Sequence, residues 1–160
     1  MVQLRAVDAL TGIDPSELIR VSPGGRKEPN LLEVDDILFA NRGMHLFGAL
    51  VDHEIEGALA APHFFILRAT SPAVFPGYLV WYLNNKRAQR YYHTCAAGTA
   101  LPHITRKALE ALPVLLPPLE TQRRVVAAYR CWQKERRITE ELLSLREKYI
   151  THVLDEAISN

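Results

Sequence analysis

Cysteine is scarce in this chain. Its 160 residues include two, Cys95 and Cys131, with no metal-ligand spacing. Both read as reduced thiols of a cytoplasmic protein, so no structural metal is expected from them. Long apolar runs are missing as well. None approaches the roughly 20 residues that span a bilayer, and the opening MVQLRAVDAL lacks the charged start and apolar core of a signal peptide. No membrane partner is expected. The chain also has no Gly-rich phosphate loop, no nucleophile elbow and no acidic-Pro-Pro-aromatic motif of the methyltransferase kind. His53-Glu54 lacks the second histidine of a metalloprotease helix. Catalysis therefore has little to hold, and neither a catalytic residue nor a cofactor is assigned.

What is present is a core-forming composition, 48% hydrophobic, with no disorder signature. The net charge of +1 conceals an uneven distribution. Residues 1–60 carry 5 Lys+Arg against 10 Asp+Glu, residues 61–118 carry 6 against 1, and residues 119–160 carry 8 against 7. The middle segment is thus basic, and it holds His63, His93 and His103 as well.

The stretch LPVLLPPLETQ, residues 112–122, divides the chain. Val114, Leu115 and Leu116, bounded by prolines, read as a short buried edge strand. Pro118 can stand at the first turn of a helix, where a missing N–H costs nothing. Glu120 then complements the positive end of the helix dipole. From Leu119 to Asn160 there is neither glycine nor proline. At about 1.5 Å per residue, an unbroken helix there reaches on the order of 60 Å, too long for a domain of this size to wrap. The division expected is a globular head over 1–117 and a long helix over 118–160.

Before that join the pattern is α+β. Strands are expected over residues 2–7, 18–21, 36–41, 46–51, 58–61 and 63–69, with turns at 11–15 and 41–43 and a polar Gly/Pro loop at 22–30 carrying Arg26 and Lys27. Pro76 opens a helix whose Tyr78, Leu79, Trp81, Tyr82 and Leu83 repeat at helical spacing. A second helix covers 85–96, a loop follows at 98–102, and Thr105 caps a short helix through Leu112. The head is thus a small, mostly antiparallel β-structure with two or three helices. In the long helix, Val125, Tyr129 and Trp132, then Ile138, Leu142, Leu145, Tyr149 and Val153, form heptad-like seams broken at the polar stretch 133–137. The second seam is too apolar to stand in water and is expected to pair with another helix.

Phosphate contacts call for Lys, Arg and small polar groups on loops and helix starts, and base contacts for Arg, Asn, Gln or Ser/Thr at tips that enter a groove. Arg26/Lys27, Asn41/Arg42, Lys86/Arg87/Arg90 and residues 99–107 supply such groups. The DNA-binding candidates are Arg42, Lys86, Arg87, Arg90, Thr99 and His103. The acidic pairs Asp35-Asp36 and Glu54/Glu56 would suit a metal-dependent nuclease, but they lack a nearby lysine. A solvated strand end is the expected role of Asp36.

Five motifs occur in order: LEVDDILFANRG (32–43), AAPHFFIL (60–67), GYLVWYL (77–83), GTALPHITRKALEAL (98–112) and VLLPPLETQ (114–122). Together they resemble the DNA specificity subunit of type I restriction–modification systems, one target-recognition domain followed by one spacer helix. The Pro-Pro-Leu-Glu-x-Gln helix opening is the most specific element. The resemblance implies a non-catalytic, cytoplasmic subunit that reads one half of a bipartite site on double-stranded DNA. It implies a spacer helix that pairs as an antiparallel coiled coil through Leu142, Leu145, Tyr149 and Val153 and docks methyltransferase (modification) subunits, with a restriction subunit a further partner. The chain departs from the family in having Asp35-Asp36 where Gly-Asp is usual and Thr121 where Glu is common. It also has one head and one helix where two of each are usual, and lacks a first segment before Val2. Two readings follow: a half subunit that works as a symmetric homodimer through the helix and reads a palindromic bipartite site, or a truncated relic with an incomplete head. The alternatives are a non-DNA interaction module on a coiled-coil tether and, more distantly, a small metal-dependent nuclease.

Overall fold

The computed structural model describes residues 1–8, 12–20, 31–96 and 102–159. They form two compact units, Met1–Arg124 and Val125–Asn160. The fold is α+β.

The first unit is organised on a three-stranded antiparallel sheet, β3 (Ile37–Ala40), β4 (Phe47–Leu50) and β5 (Phe64–Leu67), in the order β4-β3-β5. Every residue of β3 is buried, as a central strand covered on both faces requires. Leu38 and Ala40 pack on one face with Ala49, Val51 and Phe64. Ile37 and Phe39 pack on the other with Leu46, Leu83 and Tyr92. That second face is covered by helices α1 (Pro76–Asn84), α2 (Lys86–Cys95) and α3 (Arg106–Glu110). Gly48 makes close cover possible: a Cβ there would lie 3.3 Å from Leu83 Cδ1 and 3.4 Å from Ile37 Cγ2. The Asn84 amide clamps the same spot, accepting from Gly48 N at 2.8 Å and donating to Gly48 O at 2.7 Å.

The α-helical expectations and the three strands of this sheet agree with the structure, including Pro76 at the start of α1 and the Thr105 cap, whose hydroxyl accepts from Ala108 N. Elsewhere the chain is less regular than its pattern. Residues 2–7 are not one strand. Val2 makes a single parallel bridge to Ala60, residues Leu4–Ala6 form a 3-10 turn closed by Ala6 N to Gln3 O, and only β1 (Val7–Asp8) pairs, with β2 (Gly12–Ile13). The turn region 11–15 therefore contributes a strand, followed by a 3-10 turn, Pro15–Glu17, capped by Asp14. Residues 18–20 form no strand, and 58–61 are held by two isolated bridges, Val2 to Ala60 and Leu31 to Leu59. The loop 22–30, with Arg26 and Lys27, lies outside the described residues.

The expected strand at 113–117 is absent, and Leu115 and Leu116 are exposed. Its carbonyls are satisfied by side chains instead of a ladder: Tyr82 Oη donates to Pro113 O at 2.9 Å and Tyr78 Oη to Leu115 O at 2.7 Å. Helix α4 (Leu119–Ser159) then begins directly after Pro118, whose carbonyl accepts the first helical bond from Gln122 N. Gln122 is fully buried and locks this start. Its Oε1 accepts from Phe75 N at 2.8 Å, and its Nε2 donates to Ala73 O at 2.8 Å and Pro117 O at 2.7 Å. The glutamine of the Pro-Pro-Leu-Glu-x-Gln opening is thus a structural lock.

Asp36 is not a solvated strand end. It is fully buried, and its carboxylate accepts from Arg68 Nε at 2.7 Å, Arg68 Nη2 at 2.8 Å and Glu33 N at 2.8 Å. Burial alone would raise its pKa, but the Arg68 and Glu33 hydrogen bonds and the guanidinium charge outweigh that and hold it below the usual carboxylate range. An aspartate engaged by a bidentate arginine is not available as a nuclease metal ligand. Asp35 beside it has φ 72°, the left-handed region that favours glycine.

Candidate nucleic-acid interface

The loop after β3, residues 41–46, is fastened on two sides. Beyond Ala40 the strand direction continues for three residues, and a second segment takes over from β5 as its partner. Ile104 N donates to Asn41 O at 3.1 Å and Gly43 N to Pro102 O at 3.2 Å, bracketing an antiparallel bridge between Arg42 and His103. Gly43 has φ 131°, outside the range of ordinary side chains, and lets the chain turn away after Arg42. From the other side α2 reaches the loop, as Gln89 Nε2 donates to Leu46 O at 2.9 Å.

Helix α2 is itself firmly placed. Asn85 caps it through Oδ1 to Arg87 N and Ala88 N. Ala88 and Tyr92 are buried; the Tyr92 ring meets Phe39 edge-on at 5.4 Å and its hydroxyl donates to Leu83 O. Burial pushes the Tyr92 phenol well above its ordinary pKa. Tyr91 Oη, donating to Ala108 O, ties α2 to α3. With this side seated, Lys86, Arg87, Arg90 and His93 all fall on the exposed side. At about 100° per residue they occupy an arc of roughly 120°. Arg90 Nε also donates to Lys86 O at 3.2 Å, which holds that side chain along the helix.

Four arginines elsewhere in the unit are taken up by carboxylates. Arg5 is paired with Glu17, Arg68 with Asp36 and Glu33, Arg106 with Glu110, and Arg124 with Glu120. Among the described residues Arg42, Lys86, Arg87 and Arg90 have no acidic partner. No Asp or Glu occurs between Glu56 and Glu110, so the α2 cations have no acid near them in the sequence.

Of the six DNA-binding candidates, Arg42 and His103 are direct cross-strand neighbours, and Lys86, Arg87 and Arg90 share the helix whose Gln89 holds the Arg42 loop. Thr99 lies outside the described residues. The sequence reading did not single out Gln89, which positions the loop, or His45, exposed within it. A glutamine on the border of an amphipathic helix carries no distinguishing signal. Two buried polar atoms at the same end of β3, Asn41 Oδ1 and His63 Nε2, have no hydrogen-bond partner among the described residues. The two residues are joined by Asn41 N to His63 O at 3.1 Å.

In the second unit, Ile138, Leu142, Leu145, Tyr149 and Val153 are between 42% and 69% exposed, and at about 100° per residue they fall within an arc of roughly 80°. Trp132 stacks on Tyr129, with the Arg136 guanidinium 5.9 Å from the Trp132 ring centroid. The helix is electrically polar along its length. Residues 123–137 carry six Lys/Arg against one Glu, and residues 138–160 carry two against five Asp/Glu. No helix among the described residues is long and apolar enough to cross a membrane. Compared with protein-family models and with curated proteins, the chain finds no match.

Proposed function

We propose that the chain is a DNA-recognition subunit of the type I restriction–modification kind. The first unit would read one half of a bipartite site, and α4 would join it to a partner helix and to methyltransferase subunits. The observation that carries this reading is the distribution of unpaired cations. Arg5, Arg68, Arg106 and Arg124 are matched by carboxylates, while Arg42, Lys86, Arg87 and Arg90 are unmatched and belong together to one loop and the helix that holds it. A duplex supplies phosphates to such a surface and little else does so as well. The subunit acts by binding, with chemistry left to its partners.

The charge gradient along α4 supports an antiparallel arrangement with a second copy, because the basic half of one helix then faces the acidic half of the other. Each copy's apolar seam covers its twin's. The exposed seam is equally compatible with an interaction module that never meets DNA, so the decisive experiment is on the first unit. Arg87→Ala with Arg90→Ala is expected to lower affinity for a random-sequence duplex about 10–100-fold and to flatten the salt dependence by about 1.8 in log–log slope, two phosphates at about 0.9 each. Unchanged affinity and slope remove α2 from the footprint. Absence of salt-dependent duplex binding by the intact chain, with a stable oligomer, leaves the interaction module.

A further inference from the structure

We infer that Arg42 and His103 form a two-pronged site for one backbone phosphate, and that His103 must be protonated for the second prong to act. The inference rests on the DNA-recognition reading and adds a pH dependence to it.

The geometry begins with the bridge. The bonds Ile104 N to Asn41 O and Gly43 N to Pro102 O flank the Arg42–His103 pair and do not pass through it. This is the non-hydrogen-bonded kind of antiparallel pair, in which Cα atoms stand about 4.5 Å apart and the two side chains lie side by side on one face. A guanidinium and an imidazole so placed converge on the same small volume. Arg42 is exposed and His103 half-buried, so the pair is reachable from solvent while its backbone is fixed by both flanking bonds.

The surroundings select an anion. The titratable and charged groups on the adjoining segments are basic: His45 in the same loop, His63 at the foot of β5, and Arg106 and Lys107 in the first turn of α3. Glu110, the next acid along the chain, is taken by Arg106 at 2.8 Å. An imidazolium beside a guanidinium is repelled by it, and a phosphodiester between the two attracts both. Phosphate binding and proton uptake at His103 therefore favour each other, since histidine is the side chain that changes charge between pH 5 and 8. No such coupling is expected of Lys86, Arg87 and Arg90, which are charged throughout that range. Lys86, Arg87 and Arg90 supply constant attraction, and the Arg42–His103 pair a contact that strengthens in mild acid.

The test is the affinity of the full chain for a random-sequence duplex at fixed ionic strength, measured by fluorescence anisotropy from pH 8 to pH 5.5. A binding-induced rise of one pH unit in the imidazole midpoint corresponds to about a tenfold gain in affinity. Wild type is expected to gain about five- to tenfold across this range. His103→Gln, which keeps a polar side chain of similar reach, is expected to lose most of that gain. Arg42→Gln is expected to bind more weakly at every pH and to lower the salt slope by about 0.9. The remaining histidines are common to wild type and His103→Gln, so their contribution cancels in the comparison. A direct reading in wild type is the His103 imidazole resonance, whose titration should move to higher pH when duplex is added. Duplex binding with the same pH profile in wild type and His103→Gln, or an imidazole titration that duplex leaves in place, overturns the inference and leaves the DNA reading standing. No duplex binding at any pH overturns both.

Discussion

Arg68→Ala tests how the sheet is held at its base. Arg68 follows β5, and its guanidinium reaches back to the residue that precedes β3, closing Nε and Nη2 on the two oxygens of Asp36 and Nη1 on Glu33 Oε1 at 2.7 Å. Truncation leaves a fully buried carboxylate with the Glu33 N–H as its one remaining donor. Removing one partner of a buried ion pair costs about 3–5 kcal/mol. The Arg68 side chain is 46% exposed, so water can replace part of the guanidinium and screening reduces the loss. A cost of about 2–3 kcal/mol follows. Urea unfolding read by Trp81 fluorescence, in a Trp132→Phe background so that one tryptophan reports, measures it. The pH dependence is the sharper readout. A carboxyl whose pKa is depressed in the fold contributes stability above its unfolded value of about 3.9 and loses it as pH falls through the folded value. The wild-type advantage over Arg68→Ala should therefore be level from about pH 5 to 8 and close below about pH 4. A difference under about 0.5 kcal/mol at pH 7, or one that persists undiminished in acid, refutes the assignment of Arg68 as the group that holds Asp36 ionised.

Three further predictions concern the remaining anchors. Gln122→Ala removes three hydrogen bonds and strands the Phe75 N–H, and should cost about 2–4 kcal/mol in the same unfolding assay; a loss below about 0.5 kcal/mol means the lock is ornamental. Asp35→Val should cost about 1–2 kcal/mol, because a branched side chain is disfavoured at φ 72°, while Asp35→Gly should be neutral or better; equal melting temperatures for wild type and Asp35→Val would contradict the left-handed backbone. Leu142→Glu with Leu145→Glu should reduce the light-scattering mass to that of the 18.1 kDa single chain; a mass unchanged from wild type counts against the seam.

The parts of the fold legible in the sequence were those whose signal is local. β3 announced itself because a strand buried on both faces is continuously apolar, and α1 and α3 because Pro76 and Thr105 do their capping within one turn. The 113–117 segment misled for the same reason. Its apolar run imitates a buried strand, and nothing nearby shows that hydroxyls from Tyr78 and Tyr82 take its carbonyls. Asp36 misled because the arginine that makes its burial tolerable is 32 residues away. The candidate interface was legible in residue type and opaque in selection. Spacing alone suggests that Arg106 meets Glu110 and Arg124 meets Glu120, each four residues apart. That Arg5 is spent on Glu17 and Arg68 on Asp36, leaving Arg42 and the α2 cations unmatched, needs the folded chain.

The unmatched cations sit on anchored segments. A charged side chain on a mobile segment loses conformational freedom when it meets a phosphate, and that loss subtracts from affinity. Arg42 is fixed by two backbone bonds to residues 102–104. The loop it opens is held at Leu46 by Gln89, and Gln89 belongs to a helix seated by Ala88 and Tyr92 against β3. The chain of contacts from the buried centre of the sheet to the exposed guanidinium thus passes through no described residue that lacks a packing or hydrogen-bond anchor. Truncating Tyr92 should loosen α2 and the Arg42 loop together, so its effect on duplex affinity should exceed that of removing any one cation, although Tyr92 is buried and can touch no DNA. On the proposed DNA reading, stability and recognition are coupled in this unit because one helix would serve both: its buried side completes the core and its exposed side carries the charge.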